Sequence, residues 1–427
     1  MPESVSAAAS PSTVRFHEHT LRNGLQVIVE VNPSVHSVAA GFFVRTGSRD
    51  ETPDVAGVSH FLEHMAFKGN GQYSADDINR IFDEIGANSN ASTDQESTIF
   101  YAAVLPEYLD TAIELLSVLM QPSLRQDDFD TEKQVILEEI GMYDDIPSFT
   151  AYDTVMATFY DRHPLGNSIL GTNKSITALS SEQMRRYHAD RYKAGNMTLA
   201  IAGNVHIDAV LPIVERHCIN LPTGSCERLF PEFDPNPKQL MLPRESSVQQ
   251  HIMQMGLAPT GDNNLRYAAD LLAVVVGDDS GSRLYWDMVD PGYVESAEIG
   301  HHEFDGAGAW MSYLCCMPDD CEANLERMQK VFDQVNAEGI TAEELEQARN
   351  KVASRIVLRG ERPMGRLSSL GANWVYRGEY KSVADELDIV RQLKMQDIDE
   401  LLQAYPIRMT TTVGVGPKQE LQMKVES

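Results

Sequence analysis

The chain has 427 residues, 42% of them hydrophobic and 23% charged, a globular composition in a chain too long for one hydrophobic core. Its formal net charge of −28 argues against a nucleic-acid partner, which would need clustered lysine and arginine, and is compatible with cationic partners. No stretch approaches the roughly 18 apolar residues of a membrane span, so we expect no membrane partner either.

The predicted elements begin after a short leader. Residues 1–18 are small and polar and lack the apolar segment of a signal peptide, so we expect a disordered leader and a cytoplasmic protein. Farther on, β-branched and aromatic segments predict strands, and capped periodic runs predict helices. Strands are expected at 25–31, 37–47, 97–105 and 196–205, and helices at about 57–67, 74–86, 107–120 and 127–145.

The pattern then loosens and afterwards repeats. Residues 221–247 contain five prolines and little periodicity, which predicts a linker between a domain at 19–220 and a second domain at 248–427. The second domain follows the outline of the first, with Met197 and Met409 at matching positions of two similar strand-like segments. This spacing indicates two copies of one α/β unit.

The most specific pattern lies on the predicted helix at 57–67. Its stretch SHFLEHMAFKG places His60 and His64 four residues apart, on one helix face, where both imidazoles can bind one ion. Zinc prefers imidazole nitrogens, and a catalytic zinc site uses three protein ligands and keeps one position for water. Glu63 lies between the histidines in angle, and H-x-x-E-H is the inverted order of the zinc-protease motif. Two such histidines also occur by chance on exposed helices, but this helix is mostly apolar, so its polar groups need partners.

A third ligand has to come from another element, and the acidic helix predicted at 127–145 is the best source. Glu132 and Glu139 are seven residues apart and share a helix face, whereas Glu138 points elsewhere. A solvated acidic face would show the same pattern. The residues by themselves therefore leave open the choice between Glu139 and its neighbours.

Several blocks of the chain resemble the pitrilysin family of inverted zinc metallopeptidases, most of all its half-length bacterial members and the β subunit of the mitochondrial processing peptidase. They cover most of residues 20–205 in the family's order: RTGSRDE, GVSHFLEHMAFKG, GANSNASTDQESTIFYA, EKQVILEEI, HPLGNSILG and NMTLAIAGNV. The second domain resembles the family more weakly, through SGSRL and TAEELEQARNKV. The resemblance implies an α+β fold of two homologous α/β sandwich domains, each a mainly antiparallel sheet covered by helices and related by an internal repeat. Only the first would carry the metal motif.

The resemblance also implies roles for individual residues. One Zn²⁺ per chain would be bound by His60, His64 and Glu139, with Glu63 as general base and Glu132 supporting the ligands. A peptide substrate would add a strand to a sheet edge, which gives as substrate-binding candidates Asn90, Ala91, Ser92, Thr93, Glu96, Thr98 and Tyr101. Asp153 matches an acidic position that reads a substrate arginine in the mitochondrial enzyme; a solvated acid is the alternative interpretation.

Two family positions differ in the second domain. Many members carry an Arg and a Tyr, seven residues apart after an S-R-L stretch, which bind the substrate. Alignment on Arg283 places Val289 at the Arg position and, with one deletion, Glu295 at the Tyr position. We therefore expect a heterodimer with a homologous subunit that lacks zinc and completes the active site, with a homodimer as the second choice.

The sequence thus predicts a zinc-dependent endopeptidase that hydrolyses peptides or unfolded protein segments and needs a partner subunit. The alternative is a non-catalytic scaffold or peptide-binding subunit of a larger complex. Scaffold members of the family typically lose motif residues, whereas this chain has His60, Glu63, His64 and Glu139. A structural zinc would normally have four protein ligands, and the sequence offers no fourth.

Overall fold

The first sheet is built from the β-branched and aromatic segments of the chain's first half. The computed structural model describes residues 14–235 and 237–421. Six strands form this sheet: Arg15–Thr20 (β1), Gln26–Val31 (β2), Val38–Val44 (β3), Asn88–Thr93 (β4), Thr98–Val104 (β5) and Met197–Gly203 (β6). Their order is β1-β2-β6-β3-β5-β4, and only β2 and β6 run parallel. β4 therefore lies at one edge of the sheet.

Eight helices follow from the capped, periodic segments of the same half. They are Val58–Ala66 (α1), Ala75–Glu84 (α2), Leu109–Leu119 (α3), Gln126–Asp144 (α4), Pro147–Tyr160 (α5), Asn173–Ala178 (α6), Ser181–Arg191 (α7) and Ile207–Cys218 (α8). The predicted serine cap is present, because the Ser74 side chain accepts a hydrogen bond from the Asp77 N–H at the start of α2. Apolar residues of α1, α3 and α4 pack on one face of the sheet and form the main core of this half.

The second sheet repeats the topology of the first. Its strands are Lys238–Pro243 (β7), Gln250–Leu257 (β8), Ser296–Phe304 (β9), Ala307–Cys316 (β10) and Thr411–Gly416 (β11), in the order β7-β11-β8-β10-β9. β7 and β11 run parallel, and the other neighbours are antiparallel. The order matches β2-β6-β3-β5-β4 strand for strand, so the predicted fold of two repeated, mainly antiparallel sheets is confirmed.

Helices of the second half cover this sheet. They are Arg266–Gly277 (α9), Cys321–Glu338 (α10), Ala342–Gly360 (α11), Pro363–Arg377 (α12), Val383–Gln392 (α13) and Met395–Ala404 (α14). A single turn of π-helix, Tyr285–Val289, lies between α9 and β9. Within the described ranges, none of the helices combines the length and the apolar character needed to cross a bilayer.

The two halves exchange one helix each. α12, from the second half, places Leu367, Leu370 and Trp374 on the first sheet. α5, from the first half, places apolar side chains against β8 and β11 of the second sheet. At Gly371 on α12 an added Cβ would lie 2.1 Å from the Phe43 ring of β3, so the helix needs glycine at this contact. Each sheet is therefore completed by the other half of the chain.

The predicted boundaries differ from the structure at two places. Residues 15–18, assigned to the leader, begin β1, which pairs antiparallel with β2; residues 1–13 of the leader lie outside the described residues. β7 lies inside the predicted linker 221–247 and pairs with β11. Both strands are short outer strands whose residues are largely exposed, so they lack the apolar alternation that would have revealed them.

Candidate metal centre and active site

Helix α1 is fixed at its start by a buried carboxylate. The two carboxylate oxygens of Glu51 accept hydrogen bonds from the N–H groups of Gly57 and Ser59, each 2.7 Å long. Gly57 has φ +90°, and a Cβ there would lie 2.6 Å from the Leu170 carbonyl oxygen, so only glycine fits this entry to the helix. These contacts set the position of the turns that carry the H-x-x-E-H motif.

The structure brings His60, His64 and Glu139 together. The Nε2 atom of His60 lies 3.8 Å from Glu139 Oε1, and the Nε2 atom of His64 lies 3.6 Å from Glu139 Oε2. One possible ligand atom can be chosen from each of the three residues so that all three atoms lie within 4.8 Å of one another. Within residues 14–235 and 237–421, no other group of three or more histidine, cysteine, aspartate or glutamate side chains comes this close together. The seven-residue spacing on α4 thus places Glu139 opposite both histidines.

This group of three fits zinc in donor type and in spacing. Distances of 3.6 and 3.8 Å are too long for hydrogen bonds. They are close to the separation of about 3.4 Å between two ligands of a tetrahedral zinc ion with bonds of about 2.0–2.1 Å. Burial lowers the pKa of His60 to about 4, so its imidazole is neutral at physiological pH, the form that binds metal.

Glu132 orients the second histidine. Its Oε1 atom accepts a hydrogen bond of 2.9 Å from His64 Nδ1, and its Oε2 atom lies 2.5 Å from Lys68 Nζ. The bond to His64, against the cost of burial and together with Lys68, lowers the pKa of Glu132 to about 2. An ionised carboxylate at Nδ1 keeps the proton on that nitrogen and leaves the Nε2 lone pair facing Glu139.

Glu63 directly precedes His64 on α1 and lies beside this centre. Thr93, at the end of β4, donates a hydrogen bond of 2.6 Å to its Oε2 atom. Burial raises the pKa of Glu63, and the Thr93 bond opposes this only in part. A carboxylate with a raised pKa accepts a proton from water more readily, which suits a general base.

The edge strand β4 ends at this centre. Because the Asp94 N–H bonds the Ser97 carbonyl and hydrogen-bonded pairs alternate along antiparallel strands, the backbone groups of Ala91 and Thr93 face away from β5. The side chains of Asn90 and Ser92 are exposed, whereas that of Ala91 packs into the core. An extended peptide can therefore pair with the outer side of β4 through its backbone.

Three other predicted substrate-binding residues have different surroundings. Glu96 is 1% exposed, and its carboxylate pairs with the guanidinium groups of Arg49 and Arg228. Thr98 is also fully buried and donates a hydrogen bond to the Thr46 carbonyl. Tyr101 packs on the sheet face that α12 covers. The buried side chains of Glu96 and Thr98 do not reach a peptide laid along β4, so the substrate-binding role predicted for this stretch, which stays a prediction, would rest on the backbone of β4.

The remaining predicted positions lie on helices or in the second half. Asp153 lies on α5, where burial raises the pKa of its carboxyl and Ser168 hydrogen-bonds it. Val289 ends the π-helical turn and packs against the core of the second half. Glu295 accepts a hydrogen bond from the Gln249 side chain, and its N–H bonds the Cys315 carbonyl. Val289 is apolar and Glu295 is acidic, so neither supplies the cation or the phenol of the family pattern.

Two residues of the site were missed from the sequence. Lys68 lies four residues after His64, a spacing that would have placed it near the same helix face. Glu51 caps α1 from a loop, and only its position shortly before a glycine-initiated helix hinted at that role. The hydrogen bond from Thr93 to Glu63 had no local signal, because the two residues come from different elements.

The fold and the site define a two-sheet α+β protein with one metal-type centre in its first half. The chain matches the model of Insulinase (Peptidase family M16) over residues 26–173 and that of the Peptidase M16 inactive domain over residues 178–352. The chain belongs to peptidase family M16. The resemblance to inverted zinc metallopeptidases is confirmed.

Relatives and solved structures agree with this assignment. The chain is 30% identical to the uncharacterized zinc protease YmxG of Bacillus subtilis, covering 90% of this chain and 94% of that protein. It is also 30% identical to the uncharacterized zinc protease Rv2782c of Mycobacterium tuberculosis, over 97% and 95% of the two chains. The structure of a protease from Helicobacter pylori superposes with a TM-score of 0.87 at 21% identity, over 95% of this chain and all of that one. These relatives share the half-length architecture.

Proposed function

We propose that the chain is a zinc-dependent endopeptidase that hydrolyses peptides or unfolded protein segments. The observation that supports this is the convergence of His60, His64 and Glu139 beside Glu63, at the end of an open sheet edge. The names of its relatives as zinc proteases support the metal and the reaction class. Three protein ligands leave a coordination position for water, as in catalytic rather than structural zinc sites.

The residues of the site divide the work of hydrolysis. His60, His64 and Glu139 would hold zinc, which would supply Lewis acidity to the attacking water and the scissile carbonyl. Glu63, with Oε2 held by Thr93, takes a proton from the attacking water as the new C–O bond forms. It then delivers that proton to the leaving amine as the C–N bond breaks. The outer backbone groups of β4 hold the peptide extended, largely independently of its side chains.

The substitution Glu63→Gln tests the reaction. It keeps the size of the side chain and an acceptor for Thr93 but removes the base, so zinc should stay bound while hydrolysis of a quenched unfolded peptide falls by about 10²–10⁴-fold. Zinc content by metal analysis and the rate are measured on the same preparation. Equal rates in wild type and variant, both loaded with zinc and both measured together with a homologous subunit that completes the site, would exclude catalysis at this site and favour the scaffold or peptide-binding subunit.

A further inference from the structure

The turn between β4 and β5 is held by a buried group of charges. Both carboxylate oxygens of Glu96 accept the Asp305 N–H, at 3.1 Å each, and Oε1 pairs with Arg49 Nη1. Arg228 Nη2 donates to the Glu96 carbonyl at 2.5 Å. Arg228 also binds both oxygens of Asp50, at 3.1 and 2.7 Å. We call Arg49, Asp50, Glu96, Arg228 and Asp305 the turn cluster.

The members of the turn cluster come from distant parts of the chain. Arg49 and Asp50 follow β3, and Arg228 belongs to the segment between the two sheets. Asp305 lies in the two-residue turn between β9 and β10, and its carboxylate also lies 2.5 Å from Arg45 Nη2. The second half, in which no described residues form a metal-type group, thus contributes directly to a turn of the first half.

The turn cluster is continuous with the proposed active site. Within the turn, the Asp94 carbonyl accepts the Ser48 N–H at 3.3 Å, and the Gln95 carbonyl accepts the Arg49 N–H at 2.9 Å. Directly before Asp94 stands Thr93, the residue that holds Glu63. The loop that contains Ser48 and Arg49 continues to Glu51, whose side chain accepts the first N–H groups of α1. One loop therefore sets both the end of β4 and the start of the metal-binding helix.

From this geometry we propose that Arg228 and Asp305 are positioning residues for the active site. They act through Glu96, holding the β4–β5 turn so that Thr93 meets Glu63 and the outer edge of β4 is aligned for the peptide. The proposal rests on the proposed function for its catalytic consequence. A role in stability alone is a poor account of the turn cluster, since burying charge pairs gains little net stability.

The chain offers a matched control for Arg228. Arg366, on α12, binds both oxygens of Glu30 on β2 at 2.9 and 2.6 Å, is equally buried, and also joins the two halves. β2 is separated from β4 by three strands. Arg228→Lys and Arg366→Lys each replace a buried bidentate guanidinium by an ammonium, but only the first lies beside the β4–β5 turn.

The test compares these variants in the zinc-loaded full chain. We expect Arg228→Lys to lower kcat/KM for a quenched unfolded peptide by about tenfold with unchanged zinc content, because small misplacements of reacting groups are costly. Hydrogen exchange of the amides of residues 88–98 should accelerate, and the affinity of the uncleaved peptide in the Glu63→Gln background should fall. Arg366→Lys should leave all three unchanged. Asp305→Asn keeps the N–H that binds Glu96 but removes the carboxylate charge that faces Arg45 and Arg228, so it should act as Arg228→Lys does but more weakly.

The outcomes separate positioning from plain stability. If Arg228→Lys and Asp305→Asn lower the melting temperature while exchange at 88–98, peptide affinity and kcat/KM stay at wild-type values, the proposal is overturned. If Arg228→Lys does not fold, Asp305→Asn decides the matter by the same criteria. Hydrogen exchange does not require turnover, so it tests the positioning role even if the chain is not a peptidase. A failure of the proposed peptidase function would instead show in the comparison of wild type with Glu63→Gln.

Discussion

At the scale of single residues, the imidazole of His64 owes its orientation to Glu132. The hydrogen bond of 2.9 Å fixes the proton on Nδ1, and Lys68 holds the carboxylate from its other oxygen. Burial lowers the pKa of His64, but the Glu132 bond and the charge of Glu139 outweigh it and raise that pKa overall. Because protons compete with a metal ion for an imidazole nitrogen, the bond that keeps the proton on Nδ1 makes the orientation of this ring the sensitive part of the centre.

The substitution Glu132→Ala tests this support. Without the acceptor the ring can rotate or change tautomer, so we expect the affinity for zinc to fall by about 10–100-fold while the fold is kept. Competition with a chromophoric chelator at neutral pH measures it. Glu138→Ala, an exposed glutamate on the same helix, is the control. Equal zinc affinities in the two variants would contradict the role of Glu132.

At the scale of elements, β4 is an edge strand that ends in the residue holding Glu63. Its outer edge has no neighbouring strand within the described residues, and the strand ends beside the three metal-type ligands, which is where we propose that the peptide binds. Exposed edges of this kind risk unwanted pairing and are commonly kept short and polar. β4 has six residues, NSNAST, and only Ala91 is buried. A short, polar strand of this kind resists unwanted pairing, while its outer backbone groups stay available for the proposed peptide.

Proline at position 91 tests peptide binding along β4. Ala91→Pro removes an N–H that faces away from β5 and is accepted by the Asn90 side chain at 2.9 Å, a bond that a peptide would have to replace, and so leaves the ladder between β4 and β5 intact. In the Glu63→Gln background, we expect the affinity for an unfolded peptide, measured by fluorescence anisotropy, to fall about fivefold, the value of one hydrogen bond of about 1 kcal/mol. Ala91→Ser keeps the N–H and is the control. If both variants bind alike, the peptide does not pair with β4.

At the scale of the whole molecule, the two halves form one interlocked unit. α5 and α12 are exchanged between the sheets, and the turn cluster joins the second half to the end of β4. The two positions that the resemblance aligns with the family's Arg and Tyr hold Val289, which packs against the core of the second half, and Glu295, which accepts a hydrogen bond from Gln249. Tyr293 lies near that position, with the Arg327 guanidinium over its ring at 4.2 Å. We therefore propose a heterodimer with a homologous subunit without zinc.

The purified chain should accordingly be a weak peptidase. Adding a homologous subunit that carries the Arg–Tyr pair should raise the rate on the order of 100-fold, the usual effect of one group that stabilises the transition state. Quenched-peptide assays with and without the second chain measure it, and the same mixture made with Glu63→Gln should stay inactive. Strong activity of the single chain, unaffected by the second, would refute the need for a partner.

The sequence by itself determined the motif helix, the two repeated units and the helix face with Glu132 and Glu139. These follow from local spacing, since residues four or seven apart on a helix share a face whatever surrounds them. Only the tertiary structure showed that Glu96 is a buried ion-pair partner, that Thr93 donates a hydrogen bond to Glu63, and that each sheet is covered in part by a helix from the other half. Those contacts join residues far apart in the chain, as with Glu96 and Asp305, whose separation of 209 positions leaves no periodicity to read. Burial and charge pairing, which set their roles, exist only once the chain is folded.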